Sequence, residues 1–206
     1  FLTTNFLGYE LEDLFCELDA EKYSFYSYYK KNLRTSLAVL SVLQQEDYLK
    51  LSKNLLSHGI RKTFWPGRFD VRVIAGRTVI FDCAHNPEGF QFFYGQFLQS
   101  KFSGLKCHLV FASFCDKDWK KNLDIIDPLV LSYGVTTIGS ARSIDPLIML
   151  QYLELKGYAN KIHKTFCDFS PKKAIEKVFS REDLSPILFI GSIAFIGEVL
   201  DRKSVV

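Results

Sequence analysis

Residues 78–89, Thr78-Val79-Ile80-Phe81-Asp82-Cys83-Ala84-His85-Asn86-Pro87-Glu88-Gly89, pass from a β-rich run into a turn and then into a helix start. Thr78 to Asp82 is the β-rich run. Asn86 takes the N-cap and Pro87 the first helical turn, where its missing N–H costs nothing. The helix so opened runs to about Phe102. Upstream, Phe69 to Ala75 is a second β-rich segment, joined to the first by the turn Ala75-Gly76-Arg77. Downstream the alternation repeats: a strand at Cys107–Phe114, a helix after Asp118, a strand at Val135–Gly139, and a helix from Asp145 to about Lys156. A strand at Lys161–Phe166, a helix from Ser170 to Phe179, a strand at Ile187–Gly191 and a helix from Ile193 to Asp201 complete the series. Such alternation predicts an α/β fold, a mainly parallel sheet flanked by helices on both faces. The unbroken apolar run Pro186-Ile187-Leu188-Phe189-Ile190 suits its buried centre.

Before Trp65-Pro66-Gly67 the texture is different. Leu33, Leu37 and Leu40, with Val39, Val42 and Leu43, recur at helical spacing from Lys31 to Leu43. Tyr48, Leu49, Leu51, Leu55 and Leu56 do so again, and this second helix is expected to stop at Gly59. Phe1 to Glu21 mixes acidic and large apolar residues without one period and fits either strand or loop. The expected division is residues 1–61 as a helical part and 66–206 as the α/β domain. The chain opens on Phe1 and shows no signal-peptide pattern, so its start is expected to be internal to a longer protein.

With 206 residues, 48% of them hydrophobic and 24% charged, the chain can bury one full core with room for part of a second. The most apolar run, Ile187 to Gly197, is well short of the roughly 18 residues that a membrane span needs. Five widely spaced cysteines without a C-x-x-C pair read as reduced thiols, so a soluble, cytoplasmic protein is expected, with no metal ligands in this chain. Net charge is +3, and residues 61–206 hold 20 basic against 15 acidic side chains, which favours an anionic substrate or nucleotide. Those basic residues are scattered. Lys30-Lys31 near Tyr26, Tyr28 and Tyr29 reads as a solvated helix start, and neither nucleic acid nor membrane is an expected partner.

Ligands of open α/β sheets bind beyond the carboxyl ends of the strands. That rule selects Asp82-Cys83-Ala84-His85-Asn86, Ser113-Phe114-Cys115-Asp116-Lys117-Asp118, Ser140-Ala141-Arg142 and Gly191-Ser192. A carboxylate there suits ribose hydroxyls, an imidazole suits proton exchange or phosphate positioning, and Lys or Arg neutralises an anion. Each has a plainer reading. Asp82 serves equally as an acceptor for loop amides, His85 as a satisfied histidine before a helix cap, Asp118 as an N-cap, and Gly191-Ser192 as a tight strand-to-helix turn. From the residues alone the chain is a nucleotide- or anion-binding α/β domain.

Trp65-Pro66-Gly67-Arg68, followed by Asp82-Cys83-Ala84-His85-Asn86-Pro87, resembles the W-P-G-R and D-G-A-H-N-P blocks of folylpolyglutamate synthases, including bifunctional dihydrofolate synthases, of the Mur ligase superfamily. Asp116-Lys117-Asp118, Ala141-Arg142 and Gly191-Ser192-Ile193-Ala194-Phe195-Ile196-Gly197-Glu198-Val199 follow in that family's order. Upstream, Asn32 stands where the family has the Asn of H-Q-x-x-N-A; Tyr28, Tyr29, Leu33 and Cys83 are departures from its pattern.

The resemblance implies a Rossmann-like Mur ligase C-terminal domain over 66–206, preceded by the tail of a central ATPase domain. It also implies an ATP-dependent ligation of L-glutamate to folate through an acyl phosphate, in folate biosynthesis and one-carbon metabolism. By carry-over Asn32, Arg68 and Asp82 contact ATP, with Asp82 on the ribose and Arg68 on the anionic side of the nucleotide. His85 is an active-site residue, and Lys117 and Arg142 are candidates for the incoming glutamate. Mg²⁺ and most of its ligands belong to an N-terminal ATPase domain. Gly134-Val135-Thr136-Thr137-Ile138-Gly139 has the glycine spacing of a P-loop, but Ser140-Ala141 follow in place of Lys-Ser/Thr, and the segment reads as a strand. The chain alone is therefore expected to be inactive. Two rival readings are a Mur ligase of peptidoglycan synthesis and a non-catalytic, nucleotide-binding relic.

Overall fold

The computed structural model describes residues 5–6, 9–10, 27–63, 65–158 and 165–201, and the chain divides into two compact units, Phe1–Phe64 and Trp65–Val206. In the first unit β1 (Asn5–Phe6) pairs antiparallel with β2 (Tyr9–Glu10), and two helices follow, α1 (Ser27–Gln45) and α2 (Lys53–Lys62). Most of the Phe1–Glu21 stretch, including Cys16, and the side chains of Tyr26 to Lys31 lie outside the described residues. Leu33 and Leu37 are buried one turn apart on α1, and Leu56 and Ile60 likewise on α2. Ser52 caps α2, accepting the Leu55 N–H at 3.2 Å. The helix runs through Gly59 rather than stopping there, because Ile60 continues the buried stripe one turn after Leu56, and a single glycine costs only about 1 kcal/mol in a helix.

The second unit carries a six-stranded sheet in the order β3-β4-β8-β5-β6-β7. Its strands are β3 (Asp70–Ile74), β4 (Arg77–Asp82), β5 (Cys107–Phe111), β6 (Val130–Thr136), β7 (Phe166–Asp168) and β8 (Ile187–Ile190). β3 is antiparallel to β4 through a two-residue turn in which Ala75 and Gly76 both have positive φ (48° and 75°), the geometry that matches strand twist. Every other pairing is parallel. The helices are α3 (Pro87–Gln99), α4 (Trp119–Ile126), α5 (Pro146–Leu155), α6 (Pro171–Phe179) and α7 (Ile193–Asp201). The crossovers from β4 to β5, β5 to β6 and β6 to β7 run in one direction along the sheet, which for connections of one hand puts α3, α4 and α5 on one face; the return from β7 to β8 puts α6 on the other, with α7.

The expected fold is present, with shifted boundaries. β5 ends at Phe111 rather than Phe114, because Ala112-Ser113 leave the sheet and Phe114 bridges to Ser143 instead. β6 begins at Val130 and ends at Thr136, so the P-loop-like glycine spacing lies partly in a strand, where Gly134 leaves room for the Phe166 ring. β7 begins where the Lys161–Phe166 strand was expected to end, and residues 161–164 lie outside the described residues. One core layer joins Val79, Phe81, Val110, Ile187 and Phe189 to Ala174, Val178, Phe195, Ile196 and Val199; the stacked rings of Phe81 and Phe189, 5.3 Å apart, lie in it. On the opposite face Phe90 of α3 meets Phe111 of β5 edge-on at 6.2 Å.

Candidate functional site

β8 lies between β4 and β5, yet the helix leaving β8 goes to one face and the helices leaving β4 and β5 go to the other. In open α/β sheets ligands bind at such a reversal, beyond the carboxyl ends of the strands, which here are those of β4, β8 and β5. Gly191, at the end of β8, has φ 130°, and a Cβ there would strike the Ala112 carbonyl and the Phe111 ring, so only glycine lets β8 and β5 end this close together.

The Trp65–Phe69 loop is clasped onto the end of β4. Asp82 accepts the Phe69 N–H on Oδ2 and the Ala84 N–H on Oδ1, both at 2.8 Å. The Cys83 N–H donates to the Gly67 carbonyl at 2.7 Å, and the Gly67 N–H to Asp70 Oδ2 at 3.1 Å. Phe69, with φ 45°, turns its ring against Phe93 and Phe102, which anchors the loop in the core. Cys83, which departs from the glycine of the resembled block, is buried in the apolar layer beside Gly67 and Ile196; burial pushes its thiol up to about 11.

Asp82 is 7% exposed. Burial raises its carboxyl to about 6, against the opposing pull of the two loop amides and of the nearby Arg68 charge. Arg68 itself is exposed and forms no hydrogen bond or ion pair among the described residues. The carboxylate nearest to it in sequence, Asp70, is taken by Arg72, whose guanidinium sits 2.8 Å from Asp70 Oδ2. Trp65 in the same loop is 69% exposed. His85 follows on the half-buried turn: its Nδ1 lies 3.0 Å from the Cys83 carbonyl, which only accepts, so Nδ1 carries the proton and Nε2 is left as an acceptor. Asn86 then caps α3 through the Gly89 N–H at 2.8 Å, as its sequence position indicates.

A second cluster follows β5 and β6. The Cys115 N–H donates to the Arg142 carbonyl at 2.9 Å and the Ile144 N–H to the Ser113 carbonyl at 3.0 Å, zipping the two strand-end loops together. Lys117 and Arg142 are thereby brought to one carboxylate, Asp116, at 3.2 and 2.7 Å, and Arg142 also stacks 4.7 Å from the Phe114 ring. These two cations hold Asp116 below the usual carboxylate range, Arg142 contributing most. Asp118 caps α4, accepting the Lys121 N–H at 3.4 Å.

Arg68, Asp82 and His85 thus share one strand end, and Lys117 and Arg142 meet at Asp116. Asn32 lies exposed on α1, in the other unit. Sequence reading missed Asp116 as the common partner of the two cations, and it missed Asn122, a buried amide whose Nδ2 donates to the His85 carbonyl at 3.3 Å. The available signal for Asn122 is a polar residue in the apolar stripe Trp119, Leu123, Ile126.

No protein-family model matches the chain. A dihydrofolate synthase/folylpolyglutamate synthase of Bacillus subtilis is 22% identical over 174 residues, which is 84% of this chain and 38% of that protein. The chain is similar to folylpolyglutamate synthases over part of their length. Solved structures agree with that likeness in fold: a Mycobacterium tuberculosis folylpolyglutamate synthase complexed with ADP superposes with TM-score 0.64 at 24% identity, over 80% of this chain and 38% of that one. The E. coli FolC complex with DHPP and ADP gives TM-score 0.64 at 21% identity over 82% and 38%, and the Thermotoga maritima folylpolyglutamate synthase 0.64 at 22% over 84% and 39%. The present chain spans about 38% of the length of these relatives.

Proposed function

We propose that this chain is the C-terminal portion of an ATP-dependent folylpolyglutamate synthase, which joins L-glutamate to a folate carboxylate through an acyl phosphate. In this reading residues 1–61 are the tail of the central ATPase domain, 66–206 the C-terminal ligase domain, and a P-loop domain elsewhere in the protein completes the ATP site. Carrying most weight is the clasp that sets the free Arg68 guanidinium beside Asp82 at the sheet's reversal point, on the two sequence blocks that resemble the family.

Arg68 supplies the cation for the nucleotide's anionic side, and Asp82 holds the loop that carries it. Asp82 keeps a lone pair on each oxygen for a ribose hydroxyl. By the resemblance alone, Asn32 of the first unit is a further candidate nucleotide contact. Lys117 and Arg142 form an anionic-substrate surface for glutamate, with Asp116 as their resident counter-charge. Among the described residues no group of three His, Cys, Asp or Glu could hold a metal ion. It is the resemblance that assigns Mg²⁺ and most of its ligands to the N-terminal ATPase domain. No helix among the described residues is long and apolar enough to cross a membrane, and the free thiols of Cys83, Cys107, Cys115 and Cys167 accord with a cytoplasmic setting.

The test uses the longer protein that carries this segment. Glutamate- and folate-dependent release of phosphate from ATP is expected there, with Arg68→Ala raising the KM for ATP and Arg142→Met raising that for glutamate. The 206-residue chain alone should show no ligation, because each missing phosphate donor costs about 3–4 kcal/mol of barrier. ATP turnover that is independent of both folate and glutamate in the longer protein would overturn the proposal.

A further inference from the structure

Asn122 is fully buried on α4, in the same stripe as Trp119, Leu123 and Ile126, all of them buried. Its Nδ2 donates to the main-chain carbonyl of His85 at 3.3 Å, while its Oδ1 is buried without a hydrogen-bond partner. An unsatisfied buried acceptor costs about 1–3 kcal/mol. A leucine at this position would fill the stripe without that cost, so packing alone gives no reason for an amide.

The remaining reason is the His85 turn. Cys83 is held through its N–H by Gly67, Ala84 through its N–H by Asp82, and Asn86 is committed to the cap of α3. The His85 carbonyl is fixed from outside the turn by Asn122. The imidazole hangs from the Cys83 carbonyl two residues earlier through a 3.0 Å bond, and that bond survives only while the main chain from 83 to 85 keeps its shape.

We infer that Asn122 is a positioning residue for His85: by holding its carbonyl, it keeps the imidazole in the Nδ1–H form with Nε2 as the acceptor presented by the strand end. The functional meaning of this rests on the proposed function, whose strand end His85 shares with Arg68 and Asp82; the geometry stands without it.

The experiment is long-range ¹H–¹⁵N NMR of the 206-residue chain at about pH 9, where imidazoles are neutral, with His85 assigned by the signal lost in His85→Gln. The Nδ1–H pattern is expected in the wild type. In Asn122→Leu the pattern shifts toward the mixed tautomers of a free side chain, while the melting temperature holds or rises because the orphaned acceptor is gone. Asn122→Asp keeps the shape and loses the donor, and it serves as the second variant if Asn122→Leu does not fold. An Nδ1–H pattern that persists in a folded variant overturns the inference, as does failure of both variants to fold, which would make Asn122 a folding residue. ADP titration of the longer protein that carries this segment separates the two readings. A tautomer shift in the 206-residue chain, beside a longer protein that binds no ADP, upholds the positioning role and counts against the proposed function.

Discussion

The Phe69 N–H donates to Asp82 Oδ2 at 2.8 Å across thirteen residues of chain, and this bond decides what the Asp82 carboxylate is for before any ligand arrives. With Oδ1 on the Ala84 N–H, one buried carboxylate holds both the loop before β3 and the turn after β4. A strand-end aspartate that resembles a nucleotide contact is first a clasp.

The clasp should titrate. Asp82 is raised to about 6 in the folded chain against 3.8 as its ordinary value, so the folded state binds the proton more readily between those pH values. Its contribution to stability is therefore greatest at the acid end of that window and falls as pH rises through 6, by about 3 kcal/mol for a shift of this size. Carboxyl ¹³C NMR should show a midpoint near 6, with the Phe69 and Ala84 amide protons moving in step. A midpoint near 4 would show that the loop amides outweigh burial.

Gly67 should tolerate no side chain. It has φ 73°, and a Cβ there would lie 2.8 Å from Ile196 Cγ2 and 2.9 Å from Cys83 Sγ. Gly67→Ala combines backbone strain with overpacking, each costing about 1–3 kcal/mol. Urea unfolding should register a loss of at least about 2 kcal/mol, with the Cys83 thiol becoming accessible to labelling.

Arg77 carries the opposite end of β4. Only 5% exposed, its guanidinium donates to the carbonyls of Val178, Phe179, Arg181, Asp183 and Ser185, closing the C-terminus of α6 and the loop into β8. These carbonyls include the negative end of the α6 dipole, which is why a cation is held there without a buried carboxylate. Arg77→Met keeps the bulk and orphans the carbonyls, so a loss of about 3 kcal/mol is expected in equilibrium unfolding. A change below about 1 kcal/mol would show that water replaces the guanidinium.

His108 on β5 is wholly buried between Ser132 Oγ on Nδ1 and Asp183 Oδ1 on Nε2, each at 2.7 Å. Burial lowers its pKa from 6.5, outweighing the attraction of Asp183; Arg181 and Arg77 push the same way as burial. The folded state thus binds this proton less readily than the unfolded one, so the His108 contribution is complete above 6.5 and is lost as pH falls below it. The slope of unfolding free energy against pH below 6.5 should shrink in His108→Gln. An unchanged slope would remove His108 as its source.

The alternation of strands and helices, the caps at Asn86 and Asp118, and the hairpin turn at Ala75-Gly76 were legible because each is a local property, written in hydrophobic period and in which side chains suit a turn. The positions of Arg68, Asp82 and His85 at a strand end were legible for the same reason. The strand order was not. That β8 returns between β4 and β5 is a choice of neighbours, and periodicity within a strand carries no information about which strand lies beside it. Everything that depends on neighbours therefore waited for the tertiary structure: Asp116 between Lys117 and Arg142, Asn122 beneath His85, and Arg77 across about a hundred residues to the end of α6. By itself the sequence determined the elements and the residues at their ends. Packing decided which of those residues meet, because hydrogen bonds and ion pairs form between groups that the core brings within about 3 Å, however far apart they stand in the chain.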